Sequence, residues 1–127
     1  MDSISTFINK LKNASKANLS SFVFPSSKYI LSVANALQKA GYLGEAVKRG
    51  KKGRMIEMQL IYTDAKPKVQ GVKRVSLISR RLYRKASELK PVRNGYGTLI
   101  LTTPKGIITD REARSLNVGG EPLFEIW

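Results

Sequence analysis

Residues 97–114, GTLILTTPKGIITDREAR, carry a strand, a turn, a second strand and a helix start in succession. GTLILTT (97–103) is strongly apolar and rich in β-branched residues, as a buried strand requires. Pro104 stiffens the chain and Gly106 opens the turn. GIIT (106–109) is short and extended. Thr109 and Glu112 stand at capping-box spacing, so a short helix should start at Asp110. Asp110 and Glu112 then complement the helix dipole in its first turn. Gly119 and Gly120 stop that helix, and EPLFEIW (121–127) closes as a strand.

Working upstream, GVKRVSLIS and RRLYRK read as strands, while ASELKPVRNGYG reads as a turn region with one helical turn. TDAKPKVQG (63–71) has turn residues and no periodicity, so it reads as a linker. RMIEMQLIY (54–62) alternates, with Ile56, Met58, Leu60 and Tyr62 on one face. With YLGEAVK it makes a hairpin whose tip is basic, since five of the seven residues 48–54 are Lys or Arg. Tyr29, Ile30, Val33, Ala34, Leu37 and Ala40 fall at helical spacing, with Ser26 or Ser27 as N-cap and Gly41 as the stop. LSSFVF (19–24) is a short strand ended by Pro25. Ile4, Phe7, Ile8, Leu11 and Ala14 predict an amphipathic helix over 3–15.

The 127 residues suffice for one compact domain or two very small ones. Hydrophobic residues form 42% of the chain, enough for a core. Lys and Arg number 23 against 9 Asp and Glu, a formal charge of +14. Such an excess implies a polyanionic partner, nucleic acid first and an anionic membrane surface second. The charge is uneven: residues 66–93 hold ten Lys or Arg and one acid, Glu88, with Tyr83 and Tyr96 in or beside them. Basic groups with nearby aromatics suit phosphate contact and base packing.

Cys and His are both absent, which removes thiol nucleophiles, disulfides and every His-dependent mechanism. Ser87-Glu88-Leu89-Lys90 matches S-x-x-K, but the companion motifs are missing. Gly95-Tyr96-Gly97 lacks a third glycine and leads into a strand rather than a helix. The acids are few and isolated, so neither a metal nor a cofactor is expected, and neither is catalysis. The start, MDSISTFINK, has no basic segment followed by an apolar one, so no secretory signal is expected. No apolar run approaches the ~20 residues of a membrane span.

TTPKGIITDREAR followed by GGEPLFEIW resembles the C-terminal signature of small-subunit ribosomal protein number eight, in its bacterial and organellar form. That family carries S-T-S-K-G, two apolar residues, T-D-R, a variable residue and A-R, then G-G-E with a short β tail. Upstream, KRVSLISRRLYRKASEL, FPSSKYILSVANALQKAGYL and NKLKNA are similar to further family segments in the same order. The resemblance spans nearly the whole chain. It implies an α+β protein of two small domains, residues 1–65 with two helices on a small sheet and 66–127 mainly antiparallel sheet with one short helix. Both would bind RNA.

The resemblance also implies binding to the central domain of small-subunit rRNA during assembly, beside neighbouring ribosomal proteins, and no catalysis. Some members also repress translation of their own messenger RNA, an alternative that would use the same surface. The place of work would be the ribosome, in the cytoplasm or alternatively in a mitochondrion or plastid. Site residues carried over are Thr102, Thr103, Pro104 and Lys105 in the loop, Glu121 of G-G-E, and Tyr83. Gly106 lets the backbone approach closely, and Arg81, Arg84 and Lys85 of the basic stretch are expected on the phosphate backbone. In the first domain the residues carried over are Ser26, Ser27 and Lys28 at a helix start. Lys51, Lys52 and Arg54 of the basic tip are expected beside them on the phosphate backbone by their charge. Three departures stand out. Thr102 and Pro104 replace two serines, Ile78-Ser79 replaces a Pro-Gly, and Thr6 replaces an acid. Pro104 offers neither hydroxyl nor N–H, so Thr102, Thr103 and Lys105 are expected to carry more of the contact.

Overall fold

The computed structural model describes residues 3–76 and 82–127. The chain is α+β and divides into two compact units, Met1–Gln70 and Gly71–Trp127. Among the described residues, no helix is long and apolar enough to cross a membrane.

The first unit places two helices on a three-stranded antiparallel sheet. Helix α1 (Ser3–Lys16) buries Ile4, Phe7, Ile8, Leu11 and Ala14, the stripe its sequence spacing predicts. Strand β1 (Ser21–Pro25) turns Phe22 and Phe24 inward against Phe7, whose ring meets Phe24 edge-on with centroids 5.4 Å apart. Helix α2 (Lys28–Lys39) is capped by Ser27, whose Oγ accepts the Ile30 N–H at 3.1 Å. It buries Ile30, Val33, Ala34, Ala36 and Leu37. Strands β2 (Leu43–Arg49) and β3 (Met55–Leu60) form the basic-tipped hairpin, and β3 lies in the centre in the order β1-β3-β2. Ile56, Met58 and Leu60 of β3 are buried; Tyr62 is half-buried and its hydroxyl donates to the Leu19 carbonyl.

The stretch expected to be a linker is instead structured at its start. Strands β4 (Tyr62–Thr63) and β5 (Lys66–Pro67) pair as a tight hairpin through Asp64 and Ala65, whose φ values are 53° and 64°. Two left-handed central residues define the hairpin turn that Asn-Gly or Asp-Gly normally announces. Alanine in the second position hides that signal. The Lys68 N–H then donates to the Ile61 carbonyl at 2.8 Å, which ties residues 66–70 to the first unit.

The second unit is a four-stranded antiparallel sheet in the order β6-β9-β7-β8. Its strands are β6 (Val72–Arg74), β7 (Thr98–Thr103), β8 (Gly106–Thr109) and β9 (Glu121–Ile126). Helix α3 (Asp110–Leu116) follows β8 directly. Leu89, Leu99, Leu101, Ile108 and Ala113 make one buried cluster, edged by Val75, Val92 and Val118. Among the described residues, the segment 82–85, expected as part of a strand, makes a single bridge, from Arg84 to Gly120. Residues 77–81 lie outside the described residues, and with them the Ile78-Ser79 departure.

Thr109 and Glu112 form the capping box, with the Glu112 N–H donating to Thr109 Oγ1 at 3.2 Å. Asp110 does more than complement the helix dipole. It is 4% exposed; its Oδ1 accepts the Leu99 N–H at 3.2 Å and its Oδ2 pairs with Arg114 Nη1 at 2.7 Å. One carboxylate thus fastens α3 to the start of β7. A buried charge kept in place by a hydrogen bond and a partner is costly to break on one side only. Asp110→Ala is expected to lower the unfolding free energy by about 2 kcal/mol, because an N–H and a guanidinium lose their acceptor. Thr109→Ala should cost about 1 kcal/mol as a lost cap. Urea denaturation with an unchanged slope measures both.

Candidate nucleic-acid interface

In the second unit the candidate residues meet through backbone, because two glycines let three segments touch. The Arg84 N–H donates to the Gly120 carbonyl and the Gly120 N–H returns to the Arg84 carbonyl, each at 2.9 Å. On the other flank β7 and β9 pair with Thr102 opposite Glu121. A Cβ on Gly119 would stand 2.4 Å from the Arg84 carbonyl oxygen, and one on Gly120 2.2 Å from that of Thr102. Neither contact leaves room for a side chain. Tyr83, Arg84 and Lys85 are thereby held beside Glu121 and Thr102. Tyr83 is 67% exposed, Lys85 is exposed, and Arg84 and Glu121 are half-buried. Arg81 lies outside the described residues.

The loop between β7 and β8 is ordered by its own side chain. Thr103 Oγ1 donates to the Gly106 carbonyl at 2.8 Å and accepts the Lys105 N–H at 3.1 Å. The hydroxyl expected to face a ligand is therefore engaged inside the turn. Pro104, Lys105 and Gly106 form the exposed tip, with Thr102 and Thr103 half-buried behind it. Gly106 has φ 109° and open space where a Cβ would be. That φ is one that L side chains rarely adopt, which is one reason for glycine at this position.

The first unit gathers its own patch. Pro25 pairs with Met55 at the end of the β1–β3 ladder, and the Ser26 N–H donates to the Arg54 carbonyl at 2.7 Å. The helix start Ser26-Ser27-Lys28 and the tip residue Arg54 are thus neighbours by register. Lys48, Lys51, Lys52 and Arg54 are all exposed. Among the described residues, Arg49 of the tip has a carboxylate partner, Glu57, at 3.1 Å. With side chains 59% and 35% exposed, that pair is screened and contributes little to stability.

Both patches thus display cations on backbone turns, a geometry suited to phosphate contact. Neither brings together a nucleophile and a base. Among the described residues there is no cluster of three acids that could hold a metal.

The model of the family described as Ribosomal protein S8 matches residues 2–127 of the chain. The chain belongs to the ribosomal protein S8 family. It is 38% identical over 122 residues to the small ribosomal subunit protein uS8 of Neisseria meningitidis serogroup C (strain 053442), covering 96% of this chain and 94% of that protein. It is 41% identical to the protein of the same name from Bradyrhizobium sp. (strain ORS 278), over 99% and 97% of the two chains. The Erythrobacter litoralis protein of that name is 37% identical, again over 99% and 97%. The family is a structural component of a ribonucleoprotein and not an enzyme.

Sequence reading missed the Gly119-Gly120 approach and the inward turn of Thr103. The glycine pair was read as a helix stop and as part of the G-G-E signature, and neither reading tells a stop from a contact. Gly120→Ala is expected to force β7 and β9 apart near Thr102 and to cost about 3 kcal/mol, at the upper end for overpacking. Gly106→Ala meets open space and should cost only about 1 kcal/mol for left-handed backbone. Thermal unfolding of the two variants ranks them.

Proposed function

We propose that this chain is a structural constituent of the small ribosomal subunit and binds the central domain of its rRNA directly, supporting assembly. The observation that carries the reading is the second-unit patch, where Arg84, Lys85, Tyr83, Glu121 and the 102–106 loop are fixed on one rigid backbone seam. Rigid presentation suits a ligand recognised by local shape rather than by sequence. Lys105, Arg84 and Lys85 supply charge for phosphates, and Thr102 supplies a hydroxyl that can donate or accept. In the first unit, Ser26, Ser27 and Lys28 offer the N–H groups of a helix start, and Lys51, Lys52 and Arg54 offer cations beside them.

Family membership supports the ribosome as the place of work, with neighbouring small-subunit proteins as partners. The relatives named above are bacterial, which fits a cytoplasmic ribosome. Repression of the chain's own messenger would employ the same surface, and no observation favours it over rRNA binding.

The reading is tested by filter binding of the full chain to a central-domain fragment of bacterial small-subunit rRNA across a salt series. Lys105→Ala should weaken binding and reduce the salt slope by about 1, the signature of one lost phosphate contact. Thr103→Ala should also weaken binding, by about 1 kcal/mol, by loosening the loop. Its salt slope should stay at the wild-type value, because no charge is removed. Wild-type affinity in both variants would overturn the assignment of this loop.

A further inference from the structure

The turn that leads into β7 has features that the interface above does not use. Val92 and Gly97 form a bridge. The Gly95 and Gly97 N–H groups donate to the Val92 carbonyl at 2.9 and 3.1 Å, and the Tyr96 N–H donates to the Arg93 carbonyl at 3.1 Å. Inside this clasp Arg93, Asn94 and Gly95 are all left-handed, with φ of 49°, 56° and 93°. Left-handed backbone is uncommon for arginine and persists only where the surroundings impose it. Here Trp127 helps to impose it, since the Arg93 guanidinium carbon lies 3.6 Å from the centre of its ring. Trp127 is itself pressed onto Gly71, where a Cβ would come within 2.4 Å of the ring.

The clasp holds Tyr96 outward. At 86% exposure it is the most exposed of the large hydrophobic residues described. A single exposed aromatic is ordinary. This one stands on a stiff turn with Lys90 and Arg93 exposed beside it, and the sequence has no acid between Glu88 and Asp110. Aromatic rings and guanidinium planes are the surfaces on which unpaired RNA bases stack, and nearby cations neutralise the flanking phosphates. A protein groove would be met by a broader apolar surface, whereas the exposed neighbours here are Pro91, Asn94, Gly95 and the two cations.

We propose that the Lys90–Gly97 turn is a second RNA contact that stacks an unpaired base on Tyr96, with Arg93 and Lys90 against the adjoining phosphates. It rests on the reading of the chain as an rRNA-binding protein. The six residues of β7 separate it from the 103–106 turn by on the order of 20 Å, so the two contacts are distinct. The sheet of the second unit is then gripped at both ends of β7, one of its two central strands.

The chain has one tryptophan, Trp127, and its contact with Arg93 makes its fluorescence a reporter for this turn. The full chain is titrated with single-stranded oligouridylate at low salt. A saturable change in Trp127 emission is expected, weakened about tenfold by Tyr96→Leu, in line with the loss of one base–aromatic stack. Lys105→Ala, which removes one cation from the other contact, should weaken that titration much less than Tyr96→Leu does. On small-subunit rRNA, Tyr96→Leu should lose protection of an unpaired nucleotide while retaining the protection that Lys105→Ala removes. Equal oligouridylate affinity and equal footprints for Tyr96→Leu and wild type would overturn the proposal. So would protection of Tyr96 from iodination in assembled subunits but not in the binary complex with rRNA, an outcome that assigns the turn to a protein. If the wild-type chain fails to bind small-subunit rRNA, the proposed function fails instead, and the oligouridylate titration still decides the turn.

Discussion

The second unit depends on a contact between backbones. At Gly119 and Gly120 the chain passes between the Arg84–Lys85 backbone and the carbonyl of Thr102, at distances that exclude even a methyl group. Everything presented on that flank inherits its position from this seam. Tyr83, Arg84 and Lys85 belong to a segment with little regular structure of its own, held there by the paired Arg84–Gly120 hydrogen bonds. Without the glycines the bonds could not close, and a flexible basic segment would lose more entropy on meeting RNA. Preorganisation is how such a surface converts modest contacts into affinity.

The seam would be useless if β7 and α3 moved against each other. Asp110 prevents that by accepting from Leu99 at the start of β7 while pairing with Arg114 on α3. Its placement follows from the capping box, since the first helical residue after Thr109 faces back toward the sheet it has just left. A single local motif therefore sets both the helix start and a long-range tie. The same economy holds in the first unit. There the last pair of the β1–β3 ladder brings Ser26 to Arg54, so sheet register rather than a dedicated contact assembles the patch.

These two cases mark what was legible in the sequence. Helical stripes, the alternation of β3, the basic tip and the T-x-x-E box are periodic or local, and each reappears in the structure. What escaped were features decided by tertiary proximity. Asp110 looked like any first-turn acid until Leu99 came near. The Asp64-Ala65 turn lacked the glycine that would have announced it. Segment 82–85 had strand-like composition, but among the described residues it makes one bridge, from Arg84 to Gly120. The candidate site was legible as a set of residues through family resemblance, and its internal wiring was not.

The wiring changes what the 102–106 loop can offer. Pro104 has no N–H, the Lys105 N–H is given to Thr103, and the Thr103 hydroxyl proton is given to Gly106. The tip is therefore poor in spare donors apart from the Lys105 ammonium. Threonine in the middle of the loop organises it, and proline at the tip fixes φ where a serine would rotate. On the proposed reading, recognition by such a loop shifts from directional hydrogen bonds toward shape and charge. Thr102 stands at the shoulder opposite Glu121 and becomes the hydroxyl best placed to supply direction. A chain that replaces a serine with proline in this loop need not lose its ligand. It exchanges one adaptable donor for a stiffer platform, and the stiffness is already secured by Thr103 and Gly106 beneath it.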